Sequence, residues 1–214
     1  MDIKKVVTDT IEVVAKTALS VIPVGGTLIT TVWDTVKGNV LAKRQEEWQK
    51  TVEERLSKTE ETLESIGENE LFATALIKAT ELAIKTSRIE KMEYLANAVV
   101  NSLKPNLDEE KLIIFLELLD KYTISHIKII HFFHNPTQFE GVSSSSYLMG
   151  SPSTVLFSVY PELKNELFNK IYTDLYTDGM VSTDNLNVTM TGSGMVAKRT
   201  THLGDAFLNF IMNN

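Results

Sequence analysis

The sequence predicts a mainly α protein: an N-terminal helical bundle followed by an α+β portion that carries a small antiparallel β-hairpin. Three observations lead there. Apolar residues recur at helical spacing through most of residues 3–134, which places one buried face on each segment. Breaks at Pro23-Val-Gly-Gly26, Gly38-Asn39, Gly67 and Lys104-Pro105-Asn106 cut that pattern into separate helices. Strand-like alternation replaces it only around Asn187-Val-Thr-Met-Thr191, ahead of Gly192-Ser-Gly194, which reads as a tight hairpin turn with Gly at positive φ.

The elements follow in order. Residues 3–22 form a first helix, with Val7, Ile11, Val14 and Ala15 on one side and Lys5, Asp9, Glu12 and Lys16 on the other. After the Pro-Gly-Gly turn, a short helix carries Leu28, Ile29, Val32 and Trp33, and Gly38-Asn39 ends it. Residues 40–66 read as the longest helix, with Leu41, Trp48, Val52, Leu56, Leu63 and Ile66 in a narrow apolar stripe on an otherwise charged surface. Such a stripe suits packing along one seam, so Leu41, Trp48, Val52, Leu56 and Leu63 are the candidate self-association residues, and a homo-oligomer is expected. Helices over 70–86 and 88–103 complete a first domain, 1–104. The second domain, 105–214, begins with helices at 108–121 and 124–134. A polar loop spans 137–152, with Gly141 and Gly150 as hinges.

Charge and composition narrow the partners. The 214 residues carry a net charge of -7, and the second half is the more acidic, with 7 basic and 12 acidic residues after Lys104 against 14 and 16 in residues 1–104. Nucleic-acid binding is dominated by phosphate neutralisation, so DNA is the less favoured partner and a protein the more favoured one. The chain has no cysteine, which excludes disulfides and thiolate chemistry and fits a reducing cytoplasm. Charges at Asp2, Lys4, Lys5, Asp9, Glu12 and Lys16 interrupt any signal-type apolar region. Cytoplasmic location is the expectation. Thr17–Trp33 is an uncharged run of seventeen residues, just short of the roughly 20 a spanning helix needs. A buried hairpin is the favoured reading of it, and insertion of 17–33 into a membrane is the alternative.

The last fifty-odd residues run helix, Gly179, two short strands, then Thr201-His-Leu-Gly204 opening an apolar helix. That order resembles the end of a winged-helix (MarR-like) domain. The resemblance implies a recognition helix at about 161–177, started by Pro161, with Leu163, Leu167, Phe168, Ile171, Leu175 and Tyr176 buried. It implies wing strands near 180–182 and 186–200. The recognition-surface candidates are then Lys164, Asn165, Asn169 and Lys170 on the helix and Lys198 and Arg199 on the wing. The whole chain is also similar to a family of uncharacterised bacterial proteins of similar length, through Ile22-Pro-Val-Gly-Gly26, Lys43-Arg-Gln-Glu-Glu-Trp48, Glu68-Asn-Glu70, His126-Ile-Lys-Ile-Ile-His-Phe-Phe133 and Thr191-Gly-Ser-Gly194 onward.

His131 and His134 can share a helix face, but no third ligand lies at metal-site spacing. There is no Gly-x-Ser-x-Gly elbow, and Pro23-Val-Gly-Gly-Thr27 lacks the Gly-Lys-Ser/Thr ending of a phosphate loop. Glu46-Glu47, Glu53-Glu54, Glu60-Glu61 and Asp108-Glu-Glu110 are neighbours in sequence, which do not face one another on a helix. No catalytic residue, metal ligand or cofactor is therefore expected. The expected function is a non-enzymatic binding or regulatory protein, with a helical self-association module and a winged-helix recognition domain. The alternative is a membrane-active bacterial effector of defence or toxin type.

Overall fold

The computed structural model describes residues 3–20, 36–59, 66, 68–105 and 107–212. The predicted Pro-Gly-Gly turn, the helix after it up to residue 35, Leu63 and Gly67 lie outside the described residues, and the 17–33 run is described only to Ser20. The chain divides into two compact units. One comprises Met1–Lys121 with Phe210–Asn214, and the other Tyr122–Asn209. The division therefore falls at Tyr122, not at Lys104.

The first unit holds α1 (Ile3–Ser20), a π-helical turn (Lys37–Leu41) running into α2 (Ala42–Leu56), α3 (Glu70–Lys85), α4 (Ile89–Asn101) and α5 (Glu109–Lys121). Gly38 and Asn39 lie inside the π-turn and do not end a helix. α3 starts where the Asn69 side chain accepts the Phe72 amide at 2.9 Å, with Glu70 in its first turn and Lys85 in its last, both favourable to the helix dipole. Asp108 caps α5 by accepting the Lys111 amide at 2.7 Å.

α1 through α4 pack on one another, and α5 packs on α3. Trp48 and Val52 of α2 are fully enclosed, and Leu41 and Leu56 are buried. The Trp48 indole donates to Thr80 Oγ1 at 3.0 Å, and Thr80 donates to the Leu76 carbonyl at 2.7 Å, so both of these buried polar side chains have partners. The apolar stripe thus meets helices of its own chain. Leu41, Trp48, Val52 and Leu56 are core residues and are not available as a self-association seam, and the described part of the helix stops at Leu56, short of residue 66. α5 joins this unit because Leu112, Phe115, Leu116 and Leu119 are buried on its inner side, and Phe115 meets the Phe210 ring at 5.4 Å.

The second unit strings shorter elements together. α6 (Ile124–His134) is followed by 3-10 turns at Pro136–Gln138 and Ser144–Ser146, β1 (Met149–Gly150) and α7 (Pro152–Val159). A 3-10 turn at Pro161–Leu163, α8 (Phe168–Thr177), β2 (Met190–Thr191), α9 (Gly192–Met195) and α10 (His202–Ile211) complete it. The 137–152 segment is thus partly built into turns and a strand. α6 opens with the Thr123 amide donating to His126 Nδ1 at 3.2 Å, a reach-back of the kind seen in capping boxes.

Three expectations for this unit change. The predicted 161–177 helix splits because Asn165 donates to the Glu162 carbonyl at 2.7 Å and accepts the Leu167 amide at 2.9 Å. Those bonds offer the backbone a local alternative to helix. The predicted wing, 180–182 against 186–200, is reduced to one antiparallel bridge, Val181 to Thr200. The two-stranded antiparallel sheet instead pairs Met149 with Thr191 and Gly150 with Met190. Gly192-Ser-Gly194 is not a positive-φ hairpin turn, since Gly141 and Gly179 are the glycines with positive φ among the described residues. It begins α9, and Gly192 is needed for a close approach: a Cβ there would lie 2.2 Å from the carbonyl oxygens of both Ser144 and Tyr147.

The end of α10 belongs to the first unit. Its last carbonyls have no donor within the helix. Asn97 Nδ2 donates to the Ile211 carbonyl at 2.9 Å, and Asn101 Nδ2 donates to those of Phe210 and Met212 at 2.8 and 3.1 Å.

Candidate functional site

The candidate recognition surface lies in the second unit, on α8 and the segment leading to α10. α8 is strongly amphipathic and buries Phe168, Ile171, Tyr172 and Leu175. The early start assumed for the helix rotated two residues to the wrong side. Leu167 is 59% exposed and Tyr176 45% exposed, whereas Tyr172 is inside, its hydroxyl donating to the Thr183 carbonyl at 2.8 Å. Burial pushes the Tyr172 hydroxyl above its ordinary pKa.

Each predicted recognition residue now has a definite setting. Lys164 and Asn169 are exposed. Asn165 is exposed too, but its side chain is committed to the turn before α8. Lys170 is clamped to both oxygens of Asp174, one turn further on, at 2.5 and 2.6 Å. Asp174 in turn lies 3.6 Å from His126 Nε2 on α6. Tyr122 stacks on the His126 ring and donates to Asp178 at 2.9 Å. Burial, then this bond to Asp178, raises the Tyr122 hydroxyl far above its usual value.

Lys198 is paired with Asp205 at 2.6 Å. The same carboxylate accepts from Thr200 Oγ1 at 2.6 Å and bonds His134 Nδ1 at 2.8 Å. Burial raises the Asp205 carboxyl, but the bonds from Lys198, Thr200 and His134 outweigh it and hold the group at about 2. Asp205 therefore ties α6, the 198–200 segment and the first turn of α10 together as an ionised acceptor.

Arg199 is the largest departure from expectation. It is 4% exposed, so it presents no cation to a partner. Its guanidinium donates to the carbonyls of Ala197 and Gly194 at 2.6 Å each and to Met190 Sδ at 3.3 Å, and it lies 5.4 Å from the centre of the Phe133 ring. Its own amide donates to the Phe133 carbonyl at 2.9 Å. Desolvation lowers its pKa from the ordinary value. Arg199 holds the α9 turn against α6. No periodicity signals this, because the contacts are to backbone carbonyls.

Asp205 and His134 have the geometry of an oriented base, but the third member of such a set is committed elsewhere. A nucleophilic hydroxyl must donate to the histidine. Thr200 is buried and donates to Asp205 instead, and Thr201 donates to the Gly179 carbonyl at 2.6 Å while capping Gly204 N at 3.0 Å. His131 and His134 do sit on one face. Burial, then the neighbouring His134, lowers the His131 pKa, and His131 Nε2 lies 3.2 Å from the Gln138 amide. No group of three His, Asp or Glu at metal-holding spacing occurs among the described residues.

The exposed positions of α8 are Asn169, Lys170, Thr173, Tyr176 and Thr177, with Lys170 neutralised by Asp174. The exposed apolar side chains of this region are Leu167 just before α8, Tyr176 on α8, Leu203 on α10, Leu148 just before β1 and Met149 in it. Among the described residues no helix is long and apolar enough to cross a membrane. Compared with protein-family models, curated proteins and solved structures, the chain finds no match.

Proposed function

We propose that the chain is a non-enzymatic binding protein. In this reading the second unit is a winged-helix-like arrangement with its wing reduced to the Val181–Thr200 bridge, and it docks another protein through the exposed side of α8. The observation that carries this is the mismatch between the surface and a phosphate backbone. Of the four cations expected to read nucleic acid, Lys170 and Lys198 are paired with carboxylates and Arg199 is buried. Groove readers need free cations for phosphate and unengaged amide or guanidinium groups for base edges. What α8 offers is Tyr176, an exposed aromatic of the kind enriched in protein interfaces, with Leu167 exposed just before the helix begins.

Two measurements test this together. A photo-crosslinker placed at position 167 or 176 in cells is expected to trap a defined protein adduct, and one at Glu54 is not. In the same preparation, duplex DNA is expected to bind no more tightly than the nonspecific range of about 10⁻⁴–10⁻⁶ M. Submicromolar duplex binding that weakens steeply with salt and is lost on Lys164→Glu would overturn the reading in favour of DNA.

A further inference from the structure

The first unit has a surface feature of its own, and it does not rest on the reading above. α3 and α5 run side by side and leave a shallow groove of about 170 Å³, floored by the half-buried Leu82 and the buried Leu116. One wall, from α3, carries Lys78 and Lys85 with Glu81 between them. The other, from α5, carries Glu117 and Asp120. Lys78, Lys85 and Glu117 form no ion pair with one another across it. Asp120 has company from its own unit, since Lys91 Nζ donates to its carbonyl at 2.8 Å.

Two exposed isoleucines lie on the same two helices. Ile77 is 42% exposed and sits one helical turn before Glu81, and Ile114 is 43% exposed and sits one turn before Glu117. Opposite charges that flank an apolar floor without pairing, on helices that also expose β-branched side chains, have one simple complement. It is the same face turned over. A two-fold axis along the groove exchanges the walls, so that α3 of one copy lies over α5 of the other and lysines meet acids twice. We propose that this face is where a second copy of the chain docks.

The helices measure about 24 and 20 Å at 1.5 Å per residue, which limits the interface to the small, weak class, under about 1,200 Å² in total. The expected behaviour follows from that size and from the charge pattern. The full chain sediments as a monomer–dimer equilibrium at about 100 µM in low salt, and the dimer loosens as salt screens the paired walls. The pair of variants Lys78→Glu with Lys85→Glu, and separately Glu117→Lys with Asp120→Lys, each weaken association by about tenfold or more. An equimolar mixture of the two double variants recovers it as a heterodimer, because the reversed walls then match.

Circular dichroism of each variant checks that it folds. The salt series on the unaltered chain needs no variant at all. A strictly monomeric wild type at about 100 µM in low salt overturns the proposal. So does a folded pair of variants whose mixture stays monomeric. Loss of this dimer would leave the α8 crosslinks untouched, and failure of those crosslinks would leave the sedimentation result standing.

Discussion

Trp48 in the first unit and Asp205 in the second both join elements distant in sequence, and they do so by opposite chemistry. Trp48 fills a core between amphipathic helices and needs only one hydrogen bond, to Thr80. Asp205 accepts three polar partners, from α6 and the 198–200 segment. The difference is one of element length. Helices of 13 to 18 residues present long apolar stripes, and burial of those stripes carries most of the stabilisation. Elements of two to eleven residues have little stripe to bury, so Arg199 and Thr201 satisfy backbone groups that short elements leave open, and Asp205 gathers the His134, Lys198 and Thr200 side chains.

Three substitutions break or sharpen that contrast. The largest effect is expected from Trp48→Ala, which opens a cavity in the first core and removes the indole donor to Thr80. Denaturant unfolding should register a loss of about 3–5 kcal/mol. Asp205→Asn comes next, at about 2 kcal/mol, because charge-assisted bonds from Lys198, Thr200 and His134 are replaced by neutral ones. Its pH dependence has a definite sign. The folded carboxyl lies at about 2, below the ordinary unfolded value of about 3.9. Its contribution is therefore complete above about pH 4 and disappears as pH falls through about 2, so the gap between wild type and Asp205→Asn should close in acid-unfolding curves over that window. The smallest effect is expected from Thr201→Ala, which removes the cap of α10 and costs about 1 kcal/mol. Hydrogen exchange at the first turn of α10 would locate it. If Asp205→Asn proved as costly as Trp48→Ala, the contrast between the units would collapse.

The same contrast explains what could be read in advance. The helices of the first unit were legible because their buried residues repeat at three and four, and α3, α4 and α5 lie within a few residues of their expected bounds. A repeat says that a face is covered, but not by what. For that reason Leu41, Trp48, Val52 and Leu56 read as a seam for another chain when α3 and α4 already cover them. In the second unit the final helix and its Thr201-x-x-Gly204 start were legible, and the reason is now physical. Thr201 caps the turn, and a Cβ on Gly204 would lie 2.3 Å from the Met180 carbonyl oxygen. The start of α8 was misplaced because Pro161 suits a 3-10 turn as well as an α-helix, and Asn165 decides between them through bonds to its own neighbours. Arg199 was out of reach altogether. A cation in a polar segment looks the same on paper whether it faces water or the carbonyls of Gly194 and Ala197.

The Asn97 and Asn101 contacts also set an order of events during synthesis. Their acceptors, the carbonyls of residues 210 to 212, are made 109 to 114 positions later. The ribosome must therefore translate the whole Tyr122–Asn209 region before the N-terminal body receives its last strap. Until then the nascent chain carries an α4 whose buried amides await their acceptors. A stalled or truncated translation product ending before Phe210 would keep that defect for good.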